Sequence, residues 1–137
     1  MDLETFKKLK TMAEKEIKFD PKNIENLCSE NSSLYQKYLD IYSTELLELK
    51  KLKLEYDEKY GNEFKQVKYY DKHEWGNKAE VDSQINTKKD ILEIRNKLAV
   101  EEVIVDYLQN VLENIKRLSF SIKNYIDYKK VMMGMFG

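Results

Sequence analysis

Apolar positions recur at helical spacing along most of the chain. Over residues 3–17, Leu3, Phe6, Leu9, Ala13 and Ile17 share one face, and Asp2 stands where an N-cap belongs. Asp20 followed by Pro21 supplies a cap and a first helical position, which predicts a short second helix in FDPKNIENL. The polar run SENSS then separates it from a third helix over residues 33–60, with Leu34, Tyr35, Tyr38, Leu39, Tyr42, Leu46, Leu49 and Leu52 at steps of three and four. Gly61 is expected to end that helix, and residues 61–86 read as a connecting segment.

Residues 87–133 predict one long helix. Thr87-Lys-Lys-Asp90 is similar to a capping box, with Asp in place of Glu. Alternating steps of three and four from Ile91 pass through Leu98, Val105, Leu108, Leu112, Ile115, Ile122 and Ile126, the pattern of a coiled-coil seam. A second stripe, including Ile104, Tyr107, Val111, Leu118 and Tyr125, sits one residue behind. Neighbouring helix positions are about 100° apart, so a single partner helix covers only one stripe. At 1.5 Å per residue the long helix measures roughly 69 Å and the third helix about 42 Å. The excess calls for cover from another copy of the chain. The expected class is therefore all-α: one helical domain that assembles as a homo-oligomer through Leu98, Ile104, Val105, Leu108, Val111, Leu112, Ile115, Leu118, Ile122 and Ile126.

Composition narrows the function. The 137 residues are 42% apolar and 36% charged with net charge −1, so no global field draws the protein to nucleic acid or to an anionic membrane. Cys28 is the only cysteine, which excludes an internal disulfide and argues against a thiolate zinc site. Without a long apolar run or an apolar leader core, the chain reads as cytoplasmic with no membrane partner. His73 is the only histidine, and HEWGN lacks the second histidine of a zinc-protease helix. Adjacent carboxylates such as Glu101 and Glu102 do not face each other on a helix and read as a solvated face or an interchain ion pair. No phosphate-binding glycine loop is present. The expectation is a protein that is not an enzyme, with no cofactor and no metal.

Charge is nevertheless clustered. Residues 50–72 hold seven lysines (Lys50, Lys51, Lys53, Lys59, Lys65, Lys68 and Lys72) against five acids. Residues 116–130 hold Lys116, Arg117, Lys123, Lys129 and Lys130 against the single acid Asp127. The stretch KYGNEFKQVKYYDKHEW adds Tyr60, Phe64, Tyr69, Tyr70 and Trp75 to the lysines. Cations that track a backbone and rings that stack on bases are what sequence-tolerant single-strand binding requires. The alternative is that Tyr60, Phe64, Val67 and Tyr70 pack beneath the connection. The candidate DNA-binding residues are Lys50, Lys51, Lys53, Lys59, Lys65, Lys68, Tyr69, Tyr70, Lys72 and Trp75.

The run Asn114-Ile-Lys-Arg-Leu-Ser-Phe-Ser-Ile-Lys-Asn-Tyr-Ile-Asp127 resembles the IK-x-R-G-F-x-IK signature of the UvsY family of phage recombination mediators. Leu34-Tyr-Gln-Lys-Tyr-Leu39 resembles that family's LY-x-K-(aromatic)-L segment, and Thr87-Lys-Lys-Asp-Ile-Leu-Glu-Ile94 is similar to its ADKDVLKV stretch. The family's Arg-Gly pair is Leu118-Ser119 here, with Arg117 displaced by one position. The resemblance implies a non-enzymatic accessory protein in the host cytoplasm. It implies a ring-like homo-oligomer, hexameric or heptameric, that forms through the C-terminal region, binds single-stranded DNA, remodels the complex of DNA with single-strand-binding protein and helps a RecA-like recombinase load. A coiled-coil adaptor that binds only protein partners is the alternative from a different class.

Overall fold

The structure, a computed structural model, describes residues 1–67 and 78–134. Among these residues all regular structure is helical: α1 (Leu3–Glu16), a 3₁₀ turn (Pro21–Asn23), α2 (Ile24–Lys65), α3 (Lys78–Asn86) and α4 (Lys89–Met132). Two compact units form, one from Met1–Thr44 with Ile104–Gly137 and the other from Glu45–Val103.

In the first unit α1 starts where its cap predicts. The Asp2 carboxylate accepts the Thr5 amide at 2.7 Å, and hydrogen bonding to the Thr5 side chain, then to its amide, holds the Asp2 carboxyl below its usual pKa. Phe6, Leu9 and Ala13 turn inward, and Leu3 stays exposed. They close a core with Tyr38 of α2 and Ile104, Leu108, Val111, Leu112 and Ile115 of α4. Phe6 meets Tyr107 edge-on, with ring centroids 5.4 Å apart. Burial pushes the Tyr38 hydroxyl up to about 12. A second cluster joins Leu27, Leu118 and Ile122, with Phe19, Ile24 and Ile126 packed against it.

The Asp20 carboxylate accepts the Lys22 amide at 3.0 Å and Pro21 opens the 3₁₀ turn, as the cap signal predicts. The chain then departs from the prediction: SENSS does not separate two helices, and α2 runs through it. Ser and Asn in a helix interior each cost only about half a kcal/mol. Leu27 and the half-buried Leu34 on either side are held by packing. The Ser29 hydroxyl donates to the Asn26 carbonyl, and Asn31 Nδ2 donates across to Ser119 Oγ of α4.

In the second unit α2 also continues past Gly61 to Lys65. Glycine there is tolerated because no close neighbour contests the position and Tyr60, Phe64 and Val67 still reach a core. That core holds Val67, Val81, Ile85 and Ile91, with Tyr56, Tyr60 and Phe64 against it. Val81 and Ile85, four residues apart, bury the inner face of α3, a helix inside the segment expected to be a connection. The Thr87 hydroxyl donates to the Gln84 carbonyl at 2.7 Å, so Thr87 closes α3 while α4 begins two residues later. Lys88 pairs with Glu63 at 3.3 Å and fastens α4 to α2 within this unit.

The long α4 is present as expected, but its premise of missing cover changes. With 42 residues, α2 is about 63 Å long, not about 42 Å. Of the residues assigned to an intersubunit seam, Ile104, Val105, Leu108, Val111, Leu112, Ile115, Leu118 and Ile122 are buried within one chain. Leu98 and Ile126 are half-buried. α1 shares in covering the second stripe through its contact with Tyr107, the element that the 100° argument had left for another copy. The large apolar side chains that α4 leaves exposed are Leu92, Val100, Val103, Phe120, Tyr128, Val131 and Met132.

Candidate nucleic-acid interface

The outward face of α2 beyond Glu45 follows from its heptad-like spacing. Leu49 and Leu52 point into the second unit, so positions about two residues away from that line, half a turn round the helix, face solvent. Lys50, Lys51, Lys53 and Lys65 are all exposed. Leu47, Lys50, Lys51, Leu54 and Lys65 share one face, since multiples of seven and sums of three and four return to the same side of a helix.

Acids interleave with these lysines, and their pairing decides which cations are free. Lys59 is half-buried and bound to Glu55 at 3.3 Å, while Glu63 is bound to Lys88. Among the described residues, Lys50, Lys51, Lys53 and Lys65 have no acid within ion-pair distance. Asp57 and Glu58 stay exposed on the same helix, so the face is a row of discrete cations rather than a uniformly positive field.

The aromatics divide. Tyr60 and Phe64 pack against the core of the second unit, and Tyr56 stacks beside Tyr60 at 5.9 Å in a tilted arrangement. That is the packing alternative for these rings and for Val67. Lys68, Tyr69, Tyr70, Lys72 and Trp75 lie outside the described residues.

Sequence reasoning missed one group in this unit. Glu101, read as part of a solvated or interchain acidic face, is 4% exposed, and it faces Glu45 of α2, itself 7% exposed. Burial, then a hydrogen bond to Glu45 and the negative charge of that carboxylate, push Glu101 up to about 7. The two buried carboxyls interact across this position and join α2 to α4 within the second unit. Glu102 is exposed. The available signal was Glu101 itself, a charged residue on the apolar seam between Leu98 and Val105.

Among the described residues no group of three or more His, Cys, Asp or Glu side chains is placed to hold a metal ion, and no helix is long and apolar enough to cross a membrane.

The sequence profile of the family described as "Recombination, repair and ssDNA binding protein UvsY" matches residues 12–135. The chain belongs to the UvsY family. The fold agrees with solved UvsY structures. The crystal structure of the bacteriophage T4 recombination mediator protein UvsY in lattice type II matches over 97% of this chain and 98% of that chain, with TM-score 0.80 and 21% identity. The same T4 protein in lattice type IV matches over 93% of this chain and 98% of that chain, with TM-score 0.79 and 20% identity. No curated protein matches the chain by sequence. At this identity the likeness to the T4 structures speaks for the fold, and the UvsY assignment rests on the profile match.

Proposed function

We propose that this UvsY-family protein is a recombination mediator that binds single-stranded DNA as a homo-oligomer and helps load a RecA-like recombinase onto DNA covered by single-strand-binding protein. The observation that carries this reading is the family match over residues 12–135, joined to a row of exposed, unpaired cations on α2. Lys50, Lys51, Lys53 and Lys65 meet phosphates, whose neutralisation releases counterions and makes binding salt-dependent. Lys59 serves first as the partner of Glu55. Lys68, Tyr69, Tyr70, Lys72 and Trp75 follow on the chain directly after α2 and extend the same lysine-aromatic composition.

Self-assembly repeats this row once per subunit, and weak contacts linked in this way act at high effective concentration. The interface uses side chains that the protomer leaves uncovered. Leu92, Ala99 and Val103 are exposed on one side of α4 with heptad-like spacing, and Val131, Met132 and Met133 are exposed at its end. The buried seam residues such as Leu108 instead hold each subunit together.

The test is a reconstituted loading reaction. The DNA-stimulated ATPase of a RecA-like recombinase is followed on oligo-dT already covered with single-strand-binding protein. Adding this protein is expected to shorten the lag before steady hydrolysis. An unchanged lag, with binding to the recombinase intact, would leave only the adaptor reading.

A further inference from the structure

Within the first unit a cavity of about 460 Å³ opens where the end of α1, the 3₁₀ turn and the start of α2 meet α4. That volume falls within the roughly 300–1,000 Å³ of ligand-binding pockets. Phe19, Leu27, Leu34 and Leu118 line it, Leu27 and Leu118 being buried and the other two half-buried. Asn31 lines it as well. Its Nδ2 donates to Ser119 Oγ at 2.6 Å, and the Ser119 hydroxyl donates its own proton to the Ile115 carbonyl at 3.4 Å. These bonds set the orientation of the amide and leave Asn31 Oδ1 buried with no hydrogen-bond partner among the described residues. A buried acceptor of this kind is stabilised by a group that brings it a donor.

Charge is divided around the mouth. Lys15 and Lys18 stand on the α1 side, and Asp20 and Glu30 on the side of the turn and α2. Glu16 is already held by Lys37 at 2.7 Å, and the Asp20 carboxylate accepts the Lys22 amide. From Lys15 the basic side continues along α1. Lys7, Lys8 and Lys15 surround Thr11 and the half-buried Met12 in a shallow groove that shares Lys15 with the cavity. Among the described residues Lys7, Lys8, Lys15 and Lys18 are exposed with no acid within ion-pair distance. The helix dipole accounts for Lys15 in the last turn of α1, but not for Lys7 and Lys8 in its second turn. The exposed acids of α1 are Glu4, which the dipole favours in the first turn, and Glu14, four residues after Lys10.

A nucleic-acid strand suits the lysines but not the cavity, where Asp20 and Glu30 repel phosphates. A polypeptide suits both, because its side chains change in character along its length and its main chain carries N–H donors. We propose that this cavity, with the lysines of α1 that lead to it, is a docking site for an acidic protein segment bearing one large apolar side chain. The apolar side chain packs against Phe19, Leu27, Leu34 and Leu118, as a single anchor does at the centre of a protein interface. A main-chain N–H beside it donates to Asn31 Oδ1. Carboxylates of the segment lie along Lys15, Lys8 and Lys7, away from Glu30. Leu118 precedes Val131, assigned above to contact between copies, by about 20 Å along α4. The site goes beyond single-strand binding and gives the first unit a protein contact of its own.

The probe is a labelled synthetic peptide in which a run of aspartates precedes one phenylalanine. Its binding to the 137-residue chain is followed by fluorescence anisotropy, with oligomer mass and oligo-dT affinity read on the same samples. Alanine in place of the phenylalanine is expected to weaken binding at least about tenfold, and lysines in place of the aspartates to abolish it. Lys8→Glu/Lys15→Glu, at exposed positions, is expected to bind the acidic peptide at least about tenfold more weakly with helicity, mass and oligo-dT affinity unchanged. Asn31→Ala, which removes the buried acceptor, is expected to cost about fivefold. A parent that ignores the peptide, or binds its alanine form equally well, overturns the inference. Lysine variants that match the parent also overturn it. Lysine variants that lose oligomer mass overturn it by making this site a seam between copies, and variants that lose oligo-dT affinity overturn it by making the site one for nucleic acid. A parent that binds the peptide but not oligo-dT supports the docking site while overturning the single-strand reading.

Discussion

Replacing Glu101 by Gln tests how α2 and α4 are joined in the second unit. Gln keeps the shape of a protonated Glu and its ability to donate to Glu45, but it holds no titrating proton. In the fold, burial and the neighbouring Glu45 carboxylate raise Glu101 from 4.5 to about 7. Between those two values the folded protein keeps a proton that the unfolded chain has released. Stability from this group is therefore fully present below about 4.5 and declines as pH rises through about 7. At about 1.4 kcal/mol per pH unit, the interval amounts to about 3 kcal/mol. Urea unfolding followed by circular dichroism at a series of pH values gives the free energy of each protein. The remaining carboxylates are common to both, so the difference between parent and variant reports the coupled pair of Glu45 and Glu101. The variant is expected to gain on the parent steadily across the interval and to lead it by about 3 kcal/mol near pH 8. Glu102→Gln, at the exposed neighbour, is expected to run parallel to the parent. Parallel curves for Glu101→Gln would refute the protonated pair and show an ionised Glu101 within the fold.

Three further outcomes follow from the packing. Gly61→Ala, inside α2 with no atom within 4 Å of the added carbon, is expected to stabilise by about 0.5–1 kcal/mol in the same urea assay; a loss would mean that α2 does not continue through Gly61. Leu108→Ala, at a fully buried side chain, is expected to cost about 2–5 kcal/mol in thermal or urea unfolding, and a neutral result would remove Leu108 from the core. Val103→Asp is expected to lower the mass in light scattering while helicity holds, because an exposed side chain harms the protomer little but puts a charge into an apolar contact between copies. Unchanged mass would move the interface elsewhere.

The helices were legible wherever local chemistry and packing agreed. Asp2 with Phe6, Leu9 and Ala13 marked α1, and the unbroken stripe from Ile91 marked α4. The breaks are less legible because weak helix formers resemble stops in the sequence. SENSS and Gly61 oppose a helix by fractions of a kcal/mol per residue, and the packing of Leu27, Leu34 and Phe64 outweighs that. Shortening α2 in this way removed the intrachain cover of α4, and Leu108 and its neighbours were then given to another copy. The nine residues of α3 carry only Val81 and Ile85 as an inward pair, too little periodicity to separate a helix from a loop. For the interface, the free cations of α2 could be found by charge counting. Which lysine is engaged, as Lys59 is with Glu55, needed the fold.

On the proposed function, phosphates of single-stranded DNA are bound by the exposed lysines of this chain. Affinity of this 137-residue chain for oligo-dT across a salt series tests this binding. The four unpaired lysines of α2 set a slope of log affinity against log salt of about −3 or steeper, at about 0.7 per contact, and Lys50→Ala/Lys51→Ala is expected to flatten it by about 1.4. Binding that is absent at low salt, or that holds its strength as salt rises, would contradict the account.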